Sequence, residues 1–168
     1  YIDGGFINTS IGIKKNKISY LGDLNAKQCL KSINFENKYV LPGMIDTQVH
    51  FREPGLTHKE DIYHGTKGAI LGGITSIFEM PNTSPATINA KELQKKIKIA
   101  EKQSWSNFAF FIGACKANVS TLNVLENIKG CAGIKIFMGS STGSLLISEE
   151  EDLKIALKSC KRRVAIHS

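Results

Sequence analysis

Residues 41–55 read Leu-Pro-Gly-Met-Ile-Asp-Thr-Gln-Val-His-Phe-Arg-Glu-Pro-Gly, and this stretch decides how the rest of the chain is read. Met44 to His50 is short, carries the β-branched residues Ile45, Thr47 and Val49, and is bounded by Pro42-Gly43 and by Glu53-Pro54-Gly55, the pattern of a strand between turns. Strand side chains alternate between faces, so Gln48 and His50 share one. Parallel β/α folds present their functional groups in this form, as polar residues where an apolar strand ends.

Four further segments repeat the pattern: Ile74 to Met80, Phe108 to Ala114, Gly133 to Met138 and Arg163 to His167. Helices are expected between them. Thr57 with Glu60 and Ser148 with Glu151 match the capping box, and Asn89 with Glu92 is a close variant. Leu93, Ile97 and Ala100 define one apolar helical face, and Leu153, Ala156 and Cys160 another. Gly72-Gly73 and Gly130 are expected to stop helices. Five strands alternating with four helices imply a parallel sheet with right-handed crossovers, either doubly wound or part of a (β/α)8 barrel. Polar residues at the ends of strands one, two, four and five favour the barrel, whose site gathers groups from many strands. The fold class expected is therefore α/β, a partial (β/α)8 TIM-type barrel with about five of its eight strands.

The first forty residues differ. Ile11 and Ile13, then Ile18 and Tyr20, alternate around Lys15-Asn16-Lys17, which predicts a hairpin. Residues 1–41 are expected to form a small β-rich element, part of a composite β-sandwich, and residues 42–168 the N-terminal part of the barrel.

Composition narrows the function. With 42% apolar and 22% charged residues the chain reads as globular. It has no run of eighteen apolar residues, and its start at Tyr1 shows neither an initiator Met nor a signal pattern, so a cytoplasmic protein clipped at its front is expected. The net charge of +7 raises the question of a polyanion partner. The lysines are scattered, however, and the densest run, Lys91 to Lys102, contains Glu92 and Glu101 and reads as the solvated face of a helix. No nucleic-acid or membrane partner is expected. Cys29, Cys115, Cys131 and Cys160 form no CxxC pair, so they read as reduced, mostly buried apolar residues rather than a zinc knuckle or disulfide framework.

Several side chains have chemistry to offer. Gln48 and His50, aimed into a barrel mouth, could hold a metal or a substrate, or His50 could be a hydrogen-bonded structural residue. Arg52 has the planar fork that suits a carboxylate, unless it pairs with Glu53 or solvent. Asn82, in Glu79-Met80-Pro81-Asn82-Thr83, reads by itself as a turn residue. Lys135 stands alone among apolar residues in Gly133-Ile134-Lys135-Ile136-Phe137-Met138. A buried ammonium must find a partner or lose its proton, unless the side chain snorkels to the strand end. A neutral amine can add carbon dioxide to give a carbamate with two metal-binding oxygens. The loop Gly139 to Gly143 either contacts an anion or simply connects. His167 ends the fifth strand. His58 and His64 fall at a helix start and in a helix body and read as surface residues.

Pro42-Gly43-Met44-Ile45-Asp46 followed by Val49-His50-Phe51-Arg52-Glu53-Pro54-Gly55 resembles the first-strand signature of dihydroorotases and their cyclic amidohydrolase relatives. Met80-Pro81-Asn82, Gly133 to Met138 and the terminal His167 match later family segments, so the resemblance covers residues 41–83, 133–143 and 163–167 in order. It implies a zinc site, with one or two ions, held by His50, His167 and a carboxylated Lys135. It also implies that Arg52 and Asn82 bind the carboxylate of a small ring substrate. The implied reaction is reversible hydrolysis of dihydroorotate to N-carbamoyl-L-aspartate, a step of pyrimidine synthesis. Gln48 stands where most of the family has a first His. An amide oxygen is a poorer zinc ligand than imidazole, which leaves the metal count open. The family draws a further His and an Asp from later strands, so these 168 residues alone are expected to be inactive. Hydantoinase or allantoinase chemistry is the nearest alternative. A non-catalytic subunit that scaffolds aspartate transcarbamoylase is another, and the parent protein is expected to be a homo-oligomer or to join that partner.

Overall fold

The computed structural model describes residues 3–24, 29–139 and 145–168. The chain divides into two compact units, Tyr1–Pro42 and Gly43–Ser168. In the first, β1 (Ser10–Lys14) and β2 (Lys17–Gly22) pair antiparallel, with Lys14 opposite Lys17. Lys15 and Asn16 form the two-residue turn at φ 50° and 61°. Both central residues of such a turn must be left-handed for its twist to match the strands, and Asn tolerates this better than most residues. The hairpin lies where the alternation of Ile11, Ile13, Ile18 and Tyr20 predicts it.

The second unit is a partial (β/α)8 barrel. Its strands β3 (Met44–Val49), β4 (Ile74–Glu79), β5 (Asn107–Gly113), β6 (Cys131–Phe137) and β7 (Val164–His167) lie side by side in chain order. All four pairings are parallel. A doubly wound sheet reverses strand order at a switch point and a barrel does not, so the unbroken order decides between the two expected architectures. The crossovers carry α1 (Ile62–Leu71), α2 (Ala90–Gln103), α3 (Leu122–Leu125, entered through a 3-10 turn at Val119–Thr121) and α4 (Glu150–Ser159). Among the described residues no helix is long and apolar enough to cross a membrane.

Alternation along the strands separates two apolar layers. Phe110, Ile112, Ile134 and Ile136 pack with Leu93, Ala100, Leu122 and Ala156 of the helices. Phe111, Met80 and Ala132 pack with Phe78, Ala109 and Ala165 as a second cluster. Lys135 lies between Ile134 and Ile136 and therefore belongs to the face turned away from the helices.

The helix starts follow the expected signals only in part. Asn89 caps α2 by accepting from Glu92 N, as its spacing predicts. Helix α1 starts at Ile62 rather than at Thr57, because Asp61 accepts from His64 N while Glu53 Oε2 accepts from Ile62 N at 2.9 Å. Thr57 to Glu60 are spent in the preceding loop, where Lys59 N donates to Leu56 O. Ser148 does not cap α4: its hydroxyl donates to Glu149 Oε1, and Glu150, Glu151 and Asp152 place negative charge at the positive end of the helix instead. Gly72 ends α1 as expected. Gly130 does not stop a helix, since α3 closes at Leu125 and Gly130, at φ +90°, turns the chain into β6.

The lysine-rich run also needs correction. Lys96 is 1% exposed and forms an ion pair with Glu79, the last residue of β4. Its neighbours Lys91, Lys95 and Lys98 face outward or partly so, but Lys96 lies three residues after Leu93 and four before Ala100, on the stripe that packs on the sheet. Cys115 and Cys131 are buried and Cys160 half-buried, in line with their reading as apolar residues, whereas Cys29 is exposed.

Two contacts brace the sheet, one where β6 and β7 begin and one where β3 and β4 end. Glu126 is 1% exposed, and its carboxylate accepts from Lys161 N at 2.9 Å and Arg162 N at 3.0 Å. Arg162 Nη1 returns a bond to Glu126 O and another to Cys131 O. This staple sets the turn that leads into β7. The loops after β3 and β4 are joined by Ser84 N donating to Pro54 O at 3.0 Å. Gly55 next to it has φ +89°, and a Cβ there would lie 2.0 Å from Ser84 O. Glu126→Ala leaves two amides without their acceptor and is expected to lower unfolding free energy by about 1–3 kcal/mol in urea titrations. Gly55→Ala combines a left-handed backbone with a backbone collision. It is expected to cost about 1–3 kcal/mol in the same measurement and to loosen the two loops it separates.

Candidate functional site at the strand ends

Parallel strands deliver their C-terminal ends to one rim. Val49 closes β3, and its carbonyl accepts from Met80 N at 3.0 Å, which aligns the residues that follow β3 and β4. His50 Nδ1 then lies 2.9 Å from Asn82 Oδ1, and Arg52 Nη1 donates to Asn82 O at 3.4 Å. Asn82 is buried, at 8% exposure, and His50 and Arg52 are half-buried. Asn82 is therefore more than a turn residue, because side chain and carbonyl each engage the neighbouring loop. Arg52 does not pair with Glu53, which instead accepts from Ile62 N and from Gln103 Nε2. Arg52 holds φ 65°, a left-handed conformation uncommon for a residue with a side chain.

The electrostatics of this corner are one-sided. Burial, then the charge of Arg52, hold the His50 imidazole below its ordinary value; Lys135 and Lys96 push the same way, against the hydrogen bond that the ring donates to Asn82. The ring is thus neutral near pH 7. With the Asn82 oxygen facing it, Nδ1 carries the proton and Nε2 keeps a lone pair. A neutral imidazole with one nitrogen fixed by a second residue is how proteins prepare a His for a metal.

Lys135 is 2% exposed, and burial holds its amine below the usual lysine range. Among the described residues no carboxylate pairs with it. Its Nζ lies 5.0 Å from the centre of the Phe137 ring, and that ring lies 5.8 Å from the His167 ring. His167, opposite Phe137 in the β6–β7 pairing, is exposed. Gln48 is exposed too: its backbone N–H donates to Asp46 Oδ1, and its side chain forms no hydrogen bond among the described residues.

The expected site residues thus fall into two groups. His50, Arg52 and Asn82 are in contact; Lys135 and His167 flank Phe137. What joins the groups is the field of Lys135 felt at His50 rather than a bond. No three His, Cys, Asp or Glu side chains come together among the described residues. The donor chemistry nevertheless suits zinc, since the rim carries a neutral imidazole with a free Nε2, a second imidazole and an unpaired amine able to become a carbamate. His58 is exposed, and exposed His64 pairs with Asp61 at 2.8 Å, so both belong to the surface. Of the loop Gly139 to Gly143, residues 140–143 lie outside the described residues. Glu79, Lys96, Glu53 and Glu126 were not legible as contributors. Only Lys96 carried a signal, its place on the apolar stripe of α2.

Comparison with known proteins agrees with this architecture. The profile of the Amidohydrolase family matches residues 39–164. A dihydroorotase of Methanosarcina acetivorans is 34% identical over 171 aligned positions, which take in 100% of this chain and 36% of that protein. An allantoinase of Bacillus velezensis is 33% identical over 173 positions, 98% of this chain and 37% of that protein. Among solved structures, L-hydantoinase (dihydropyrimidinase) from Arthrobacter aurescens superposes with a TM-score of 0.87 at 24% identity, over 98% of this chain and 38% of that one. The chain spans little more than a third of the length of these relatives. With the sheet order, the family profile and relatives along its whole length in agreement, the chain belongs to the amidohydrolase family.

Proposed function

We propose that the complete protein is a dihydroorotase, which opens the ring of dihydroorotate to N-carbamoyl-L-aspartate and closes it again, in cytoplasmic pyrimidine synthesis. The observation that carries this reading is the contact of Arg52 and Asn82 beside His50. A guanidinium and a carboxamide next to a ligand-ready imidazole suit a ring amide that bears a carboxylate; hydantoin itself has no carboxylate for the guanidinium to hold. Allantoinase and hydantoinase activities are the competing assignments within the same family.

In this reading Arg52 and Asn82 hold the substrate carboxylate, and positioning of this kind supplies much of the rate. His50 through Nε2, His167, and Lys135 as its carbamate would hold zinc, one or two ions, with Gln48 a weak additional donor. Bound zinc polarises the amide carbonyl and lowers the pKa of water. The low-lying amine of Lys135 favours carbamate formation, because only the neutral amine adds carbon dioxide. The further His and Asp implied by the resemblance would come from strands beyond these residues, so the activity belongs to the complete protein. The β1–β2 hairpin contributes to a composite β-sandwich, and the protein forms a homo-oligomer or associates with aspartate transcarbamoylase. Exposed Gln48, in the place of the usual His, favours one second reading, a subunit that scaffolds the transcarbamoylase without catalysis.

Turnover separates these readings. The complete protein loaded with zinc is expected to hydrolyse dihydroorotate well ahead of hydantoin and allantoin. Arg52→Met removes charge-assisted bonds of about 1.5–3 kcal/mol and is expected to raise KM for dihydroorotate roughly ten- to hundredfold. Preference for hydantoin or allantoin would reassign the substrate. Absence of both turnover and bound zinc would support the scaffold.

A further inference from the structure

Glu79 and Lys96 are both 1% exposed and form an ion pair between the end of β4 and the middle of α2. Neither has a part in the hydrolysis proposed above. Ion pairs this deeply buried seldom add stability over apolar residues of the same volume, because desolvation offsets their attraction. Stability alone therefore gives no reason for the pair.

Its contacts supply one. Lys96 Nζ, besides meeting Glu79, donates to Met80 O at 3.1 Å, the carbonyl of the peptide that leads into Pro81 and Asn82. On the other side, burial pushes the Glu79 carboxyl up, while Lys96 and then the backbone N–H of Arg52 favour its charged form. Arg52 is the residue held at φ 65°. The carboxylate thus feels the backbone N–H of Arg52, and its partner amine holds the Met80 carbonyl at the start of the turn that ends at Asn82. The hydrogen bond from Met80 N to Val49 O closes the same frame from the strand side.

We propose that Glu79 and Lys96 are positioning residues: as a buried pair they fix the left-handed backbone of Arg52 and the Met80–Asn82 turn relative to each other, and so set the spacing of the groups that receive a carboxylate. The inference rests on the dihydroorotase reading for the identity of that carboxylate. The framing of the two backbones stands apart from it.

Two double variants of the complete protein test this, Glu79→Leu with Lys96→Met and Glu79→Gln with Lys96→Gln. Both remove the charges and nearly keep the volume. Glu79→Asp is the conservative companion, which keeps the charge but withdraws the carboxylate by one methylene. Expected for the double variants are a Tm close to that of the parent, at least tenfold faster amide hydrogen exchange in the peptide 50–56, and at least a tenfold rise in KM for dihydroorotate with kcat changed less than threefold. Glu79→Asp should move exchange and KM the same way by a smaller factor. A purely structural pair predicts that exchange and KM return to parent values once Tm does, and that result overturns the proposal. Exchange is read without substrate. A parent that fails to turn over dihydroorotate while the variants lose protection at 50–56 refutes the substrate assignment and supports the frame. A parent that turns it over while the variants keep protection and KM overturns the frame alone.

Discussion

The hydrogen bonds that tie the loop after β3 to the loop after β4 are the constraint on which the site depends. His50 has a defined tautomer because Asn82 faces its Nδ1, and Arg52 has a defined direction because its guanidinium ends on the Asn82 carbonyl. Neither residue could be oriented by its own loop, since each lies just past a strand end, where backbone pairing stops. Parallel pairing brings the two loops side by side; the Val49 and Met80 bond sets their register; Gly55 lets them approach. The chemistry of the rim follows from a contact between two short connections on a rigid sheet, the arrangement in which β/α barrels build their sites.

Charge explains the remainder of the corner. Arg52, Lys96 and Lys135 all act on His50 in one direction, and the fully buried carboxylate beside them, Glu79, is taken up by Lys96. The Arg52 guanidinium is therefore left to favour an anionic ligand, while burial weakens the hold of His50 and Lys135 on their protons. An exposed rim with the same residues would leave the imidazole and amine nearer their ordinary values. The depth of the site is thus part of its chemistry.

Much of this was legible in the sequence, for a definable reason. Strands were marked by short apolar runs between Gly, Pro and polar clusters, and hydrophobic periodicity is a signal that tertiary structure rarely overrides. His50, Lys135 and His167 stand out as polar residues at the end of an apolar strand or inside one, whereas Arg52 and Asn82 are singled out only by their match to segments of the family. Helix starts were less secure: Thr57 and Ser148 have capping-box spacing, yet Glu53 reaches across nine residues to Ile62 N and acidic side chains serve α4. The long-range pairs were hidden. Nothing in a single sequence joins Glu79 to Lys96, or Glu126 to the amides of Lys161 and Arg162, because their partners become neighbours only after the sheet has formed.

The central claim is that the ends of β3, β6 and β7 contribute to one metal site. An anomalous difference map recorded at the zinc edge, from crystals of the complete protein grown with zinc, tests it directly. The account predicts a peak about 2.0–2.1 Å from His50 Nε2, with His167 and a carbamate on Lys135 bound to that ion or to a second one beside it. A map whose peaks all lie away from both imidazoles, with an unmodified Lys135 amine, would contradict it.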